Sequence, residues 1–177
     1  MSYSQLLSAC LGLATASLLV IAGAAKIVSP GQLARALKEV PFGGMVTTGT
    51  VRGLAFGEVA TAVLLIVPGM RSVGAALAGL LGLCFAGVGI AGWLRRATTA
   101  CGCFGTGRGR PLGPVNVAFG LFVIAAAVVN AGAPKIADPS RYFRVSVIGV
   151  SALTLALCLW THRRLVRELT RPLPSSR

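Results

Sequence analysis

Two of the five cysteines, Cys101 and Cys103, are separated by a single residue, in a glycine-rich loop between two apolar stretches. Alpha carbons two residues apart lie about 5–7 Å from each other, which overlaps the range that a disulfide tolerates. A regular helix or strand would misalign the two side chains, so the chain must bend, and Gly102 permits the bend because it has no Cβ. A tight, strained disulfide tends to exchange rather than to serve as a structural crosslink. The spacing therefore predicts a redox dithiol, with an inert pair as the alternative.

The surroundings of the pair favour reactivity. Basic side chains nearby stabilise the thiolate, which is the nucleophilic form of cysteine. Four of them flank the loop: Arg95, Arg96, Arg108 and Arg110. The other three cysteines lie in apolar stretches, where cysteine commonly acts as a small hydrophobic residue. Of these, Cys84 and Cys158 are candidate relay thiols.

Metal chemistry fits the sequence poorly. A closed zinc site needs four ligands, and the only histidine, His162, follows the last apolar stretch. Two thiolates are too few for an iron–sulfur cluster, and one histidine cannot supply a bis-histidine haem site. We therefore predict no metal, and no quinone motif can be identified in the sequence.

A single acidic residue, Glu58, lies inside an apolar stretch. A charge at the centre of a bilayer costs roughly 2.5–3.5 kcal/mol on insertion scales, so Glu58 should be paired, protonated or functional. Lys26, at the end of the first apolar stretch, is the nearest candidate partner because its long side chain can reach toward the carboxylate. Two roles remain open: the pair locks two helices together, or it handles protons or substrate.

The composition is that of an integral membrane protein. The 177 residues are 55% hydrophobic and only 12% charged, against roughly 45–50% and about 25% in soluble domains. The net charge of +13 does not indicate a nucleic-acid-binding protein. The basic residues lie almost wholly between apolar stretches, where the positive-inside rule expects them.

Five apolar stretches approach the ~20 residues that a helix needs to cross a bilayer. Helices are required because the backbone must satisfy its own hydrogen bonds in lipid. We predict an all-α polytopic membrane bundle, with a four-helix core, an added fifth helix, and a single transmembrane domain over residues 1–162. Residues 163–177 are predicted to be a basic, disordered tail. The predicted spans are 6–25, 51–67, 73–94, 114–133 and 145–160.

The first span is expected to be retained rather than cleaved as a signal peptide, because no basic residue precedes it. With the N-terminus outside, 13 of the 17 basic residues fall on the inner side. The charge bias thus favours an N-out, C-in arrangement in the cell membrane. Residues 30–41 predict a short amphipathic helix, lying either on anionic headgroups or in solvent.

The residues also resemble a known family. Gly23-Ala24-Ala25-Lys26, followed by Pro30 and a surface helix, looks like the opening of DoxX-like membrane proteins, and Gly57-Glu58 fits the same pattern. The stretch Cys101-Gly102-Cys103-Phe104-Gly105 is more specific and resembles the methylamine utilisation protein MauE branch. The similarity covers about residues 6–135. Family members show a basic residue and an asparagine after this motif; here Asn116 is present, but Val115 precedes it.

This resemblance implies a membrane helper for disulfide chemistry that acts with a thioredoxin-like partner on a client protein, in the family a subunit of methylamine dehydrogenase. The core is similar to that of quinone-linked thiol oxidoreductases, which makes a quinone a candidate carrier. Whether the chain is itself an enzyme or an accessory protein stays open. The residues expected to exchange electrons are Cys101 and Cys103, with Gly102, Phe104, Gly105, Glu58 and Lys26 in support.

Two other functions remain as alternatives: a small transporter with a polar path lined by Glu58 and Lys26, and a scaffold without catalytic cysteines. The predicted orientation also raises a conflict, because it places the cysteine loop on the cytoplasmic side, whereas disulfides of exported proteins form outside. Either the pair carries reducing equivalents from a cytoplasmic thioredoxin, or the basic loops mislead about the orientation.

Overall fold

The computed structural model of the protein describes residues 3–40, 43–99, 101, 111–132 and 139–161. These residues form six α-helices and one short 3-10 turn, so the predicted all-helical fold is confirmed. Five of the helices are long and apolar enough to cross a membrane, and the short α2 is not. The helices are α1 (Tyr3–Val28), α2 (Pro30–Leu37), α3 (Thr48–Ile66), α4 (Arg71–Leu94), α5 (Pro114–Ala131) and α6 (Pro139–Thr161), and the turn is Gly43–Met45.

Each predicted span corresponds to one helix, but the observed boundaries differ. The helix α6 begins at Pro139, six residues before the predicted start. Hydropathy places Arg141 and Arg144 in a loop, whereas in the structure they lie in the first turns of the helix. Proline suits a first turn, since its missing N–H has no partner there, and long arginine side chains can reach the membrane surface from a helix end.

The helices α4 and α5 approach each other through small residues. A Cβ built on Gly82 would lie 2.8 Å from the carbonyl oxygen of Gly120, and a Cβ on Gly120 would lie 2.5 Å from that of Gly82. The two backbones are thus in direct contact, which is how helices associate closely in lipid. This contact holds together the two helices that the cysteine loop connects.

The four helices α1, α3, α4 and α5 pack around an apolar core, and α6 packs mainly against α1. Large apolar side chains on the outer faces are exposed, as expected for helices surrounded by lipid; Phe56 and Leu80 are 66% and 58% exposed. The predicted core of four helices with a fifth added is therefore observed. The core contains Ala16, Leu19, Ala62, Leu65, Ala75, Ala78, Val123 and Ala127.

The amphipathic helix α2 covers the end of the bundle where α1 and α4 end and α3 and α5 begin. Its Leu33, Ala34 and Ala36 are buried, while Arg35 is exposed. The apolar face therefore packs on the protein's own helices. We call the resulting group the α2 cluster: Leu33, Ala34, Ala36, Val40, Val51, Cys101 and Leu112.

Candidate functional site

Cys101 lies inside the α2 cluster and is only 4% exposed. It is disulfide-bonded, whereas Cys10, Cys84 and Cys158 form no disulfide and are exposed on the spanning helices. The relay role of Cys84 and Cys158 stays a prediction. The other predicted residues of this site lie outside the described part of the chain: Gly102, Cys103, Phe104 and Gly105.

Asn116 contacts the sulfur of Cys101. Its Nδ2 donates a hydrogen bond to Cys101 Sγ at 3.6 Å. Asn116 is the third residue of α5, whose first turn begins with Pro114. Both the amide donor and the partial positive charge of a helix N-terminus stabilise negative charge on a nearby sulfur. The arrangement can therefore stabilise Cys101 as a thiolate when its disulfide opens.

Sequence reasoning did not place Asn116 at the site. It noted the residue only as part of the family pattern, without a role. The available signal was the position of a side-chain amide in the first turn of a span that follows a cysteine loop. That signal does not say which sulfur the amide would reach.

Asn116→Ala is expected to slow thiol–disulfide exchange at Cys101 by about 10-fold, because a hydrogen bond to a charged group contributes about 1.5–3 kcal/mol. Asn116→Asp should slow exchange further, since a carboxylate repels the thiolate. The measurement is the rate of disulfide reduction by a small thiol such as dithiothreitol in the purified protein. Leu121→Ala, at an exposed position of the same helix outside the cleft lining, is the control. A rate for Asn116→Ala equal to that of the control would contradict the assigned role.

A second polar contact lies two residues before Cys101. Glu39, just after α2, accepts hydrogen bonds from the backbone N–H of Thr98 at 2.9 Å and of Thr99 at 3.4 Å. It also accepts a bond from the hydroxyl of Thr99. The Thr99 hydroxyl, together with the two N–H groups, holds the pKa of Glu39 below its usual value of 4.5, against the opposing effect of desolvation. The carboxylate thus ties α2 to the segment that leads into Cys101.

An apolar cleft of about 610 Å³ opens beside the site, between the end of α4 and the start of α5. Leu112 belongs both to its wall and to the α2 cluster, so the cleft adjoins the surroundings of Cys101. Arg96 is the charged residue among its lining, and its φ of 52° is in the left-handed region. The N–H of Ala97 bonds Gly92 O at 2.9 Å and the N–H of Arg96 bonds Trp93 O at 3.1 Å.

Those two bonds form the helix cap in which glycine normally occupies the left-handed position. Arginine is unfavourable there, because its Cβ crowds the backbone. A strained residue that lines a cleft is consistent with a functional position. The cleft suits an amphiphilic molecule with an apolar body.

Lys26 and Glu58 are in direct contact, as the sequence led us to expect. Lys26 Nζ donates to Glu58 Oε1 at 2.6 Å and to Oε2 at 2.8 Å, and the two side chains are 1% and 0% exposed. The ammonium also bonds Ala22 O at 3.4 Å and lies 5.4 Å from the centre of the Phe85 ring. The pair joins α1 to α3, with the charge of each partner balanced by the other.

Comparison with known proteins identifies the family of the chain. The sequence model of the family described as methylamine utilisation protein MauE matches residues 4–133. The matched region includes α1 to α5, the cysteine loop and the Lys26–Glu58 pair. No curated protein and no solved structure matches the chain.

Proposed function

Because the chain belongs to the methylamine utilisation protein MauE family, we propose that it is a multi-pass membrane protein that exchanges thiols and disulfides with a thioredoxin-like partner. Through this exchange it supports disulfide formation in a client protein. The family's description connects the chain with methylamine utilisation. In the family, the client implied by the resemblance is a methylamine dehydrogenase subunit.

The observation that carries the proposal is the state and setting of Cys101. This sulfur is disulfide-bonded, buried in the α2 cluster, and accepts a hydrogen bond from Asn116. Since Cys10, Cys84 and Cys158 form no disulfide, we propose Cys103, the remaining cysteine of the sequence, as the disulfide partner of Cys101. A disulfide across one residue is of the kind that exchanges readily.

The burial of Cys101 suggests which sulfur a partner attacks. The thiolate of the partner attacks Cys103 Sγ and forms a mixed disulfide with it, and the Cys101–Cys103 bond breaks. Both electrons of that bond leave with Cys101 Sγ, which becomes a thiolate stabilised by the Asn116 amide. A second thiolate of the partner then attacks the partner's own sulfur in the mixed disulfide, so that the partner leaves as a disulfide and Cys103 is released as a thiolate. In the opposite direction, the Cys103 thiolate attacks a disulfide of the partner, and the Cys101 thiolate then attacks Cys103 Sγ and releases the partner in its reduced form. Cys101 is thus the resolving cysteine.

Net oxidation of a client needs an electron acceptor. A lipid-soluble quinone is compatible with the cleft beside Cys101, which is largely apolar and has Arg96 among its lining residues. Arg96, Trp93 and Val115 are the residues that would hold it. When bound, a quinone accepts two electrons and two protons, as many as a dithiol releases on oxidation.

The function is tested by the thiol state of Cys101 and Cys103 in intact membranes, measured as a mass shift after labelling. We expect an oxidised pair that is reduced by a thioredoxin-like protein through a mixed disulfide. A pair that stays reduced and forms no mixed disulfide would contradict the proposal. A membrane-impermeant label applied to reduced membranes from either side also tests the N-out, C-in orientation that the charge bias favours.

The structure gives less support to a transporter. Lys26 and Glu58, which would line the polar path, bond each other and are fully buried. A scaffold without redox activity is distinguished by the double substitution of both loop cysteines with serine. Such a scaffold would support client maturation unchanged, whereas a thiol–disulfide exchange protein would lose this activity.

A further inference from the structure

Among the described residues, Glu39, just after the end of α2, forms hydrogen bonds to the segment before Cys101. Glu39 holds Thr98 and Thr99 through two backbone N–H groups and one hydroxyl. Cys101 follows Thr99 by two residues. The segment that leads into Cys101 is therefore held by the carboxylate of Glu39, which is 60 residues away from Thr99 in sequence.

The same part of the chain belongs to the buried cluster that contains Cys101. Val40, directly after Glu39, is buried in the α2 cluster together with Leu33, Ala36 and Cys101. Val40, which belongs to the cluster around Cys101, and Glu39, which holds the segment before Cys101, are thus consecutive in sequence. If the Glu39 contact opens, the end of α2 and the segment before Cys101 are free to separate.

We propose that Glu39 is a positioning residue that keeps Cys101 covered by α2 and so directs an incoming protein thiolate to Cys103. This inference rests on the proposed exchange activity. It adds the reason why the thiolate of a partner attacks Cys103 rather than Cys101. With the contact closed, attack at Cys103 releases Cys101 as the thiolate. With the contact open, attack at Cys101 becomes possible: the mixed disulfide then forms at Cys101, and Cys103 receives the electron pair of the broken bond.

The contact is suited to reversible opening. Glu39 is partly exposed, and hydrogen bonds at a surface compete with water, so each contributes only modestly. Among the described residues, no charged side chain contributes to the lowered pKa of Glu39. The nearest basic residues in sequence, Lys38 and Arg35, lie on the exposed face of α2. The attachment therefore depends on the two threonines rather than on an ion pair.

The test measures how fast Cys101 reacts with a water-soluble pyridyl disulfide. The full chain carries Cys103→Ser, and the three cysteines of the spans are replaced by alanine. Glu39→Ala should accelerate the reaction roughly 5- to 10-fold, since three hydrogen bonds of modest strength are lost. Thr99→Val should give a smaller acceleration. Adding Thr99→Val to Glu39→Ala should have no further effect, because both changes break the same contact.

Lys38→Ala is the matched control, since Lys38 is adjacent to Glu39 but lies on the exposed face. The helical content of every variant is checked by circular dichroism, so that general unfolding is not mistaken for opening. Equal rates in Glu39→Ala and Lys38→Ala would overturn the proposal. Additive effects of Glu39→Ala and Thr99→Val on the reaction rate in the double variant would overturn it as well.

The pH dependence of the Cys101 reaction rate distinguishes an effect of the Glu39 charge from a purely steric effect of its side chain. A lowered pKa means that Glu39 stabilises the closed contact above its ordinary pKa of 4.5, and that this stabilisation is lost as the pH falls through the lowered value. The ratio of the Glu39→Ala rate to the parent rate should therefore approach one below that value. Pyridyl disulfides still react with thiols in acid. A ratio that is constant from pH 7 to the acid limit would overturn the proposed role of the carboxylate.

These measurements do not require a partner protein, so the two hypotheses can fail separately. If Glu39 controls the reactivity of Cys101 but no mixed disulfide with a thioredoxin-like protein forms, the proposed function fails alone. If exchange with the partner occurs but Glu39→Ala does not change the reaction rate of Cys101, only the positioning role fails.

Discussion

Glu58→Leu alone is expected to lower the free energy of unfolding by about 3–5 kcal/mol, because it leaves the ammonium of Lys26 buried without its counter-charge. The Lys26 side chain is 1% exposed and bonds both carboxylate oxygens of Glu58. Its other neighbours, Ala22 O and the Phe85 ring, carry no full charge. Titration with sodium dodecyl sulfate in mixed micelles measures the loss.

The double substitution Lys26→Met with Glu58→Leu is the informative control. It removes both charges and keeps apolar side chains of similar size, so most of the lost stability should return. If thiol exchange at Cys101 also returns in the double variant, the pair only locks α1 to α3. Restored stability with lost exchange would instead assign the pair to proton or substrate handling. A double variant as unstable as Glu58→Leu would contradict the ion-pair explanation.

The two cysteines of the loop are expected to behave asymmetrically in a trapping experiment. In Cys101→Ser, Cys103 forms a mixed disulfide with the thioredoxin-like partner that no internal thiol can resolve, so the complex accumulates. In Cys103→Ser, the remaining thiol is 4% exposed under α2 and should give at least about 10-fold less complex, because a covered sulfur is attacked only after local opening.

Non-reducing gel electrophoresis after acid quenching, followed by mass spectrometry of the linked peptides, measures this difference. The double serine variant is the background control. Equal trapping by both single variants would contradict the assignment of Cys101 as the resolving cysteine, although it would still support a redox function. Adding Glu39→Ala to Cys103→Ser should partly restore trapping, if the cover controls access.

Local patterns in the sequence predicted the fold and part of the site. The five spans follow from the absence of charge over lengths that match a bilayer, and the amphipathic α2 follows from helical spacing of apolar residues over one short segment. The boundaries were less predictable. Arg141 and Arg144 belong to α6 although hydropathy excludes them, since a charged residue at a helix end can reach the membrane surface.

The remaining contacts of the site depend on residues far apart in the chain. Asn116 reaches Cys101 across 15 positions, and Glu39 reaches Thr99 across 60. No local pattern encodes such pairs, because they form only when α4 and α5 pack closely and α2 closes the end of the bundle. The amino-acid sequence by itself determined that this is a helical membrane protein, and it predicted a reactive pair of cysteines in one loop. Tertiary packing decided that Cys101 is covered and hydrogen-bonded, since burial is a property of neighbouring helices rather than of the segment.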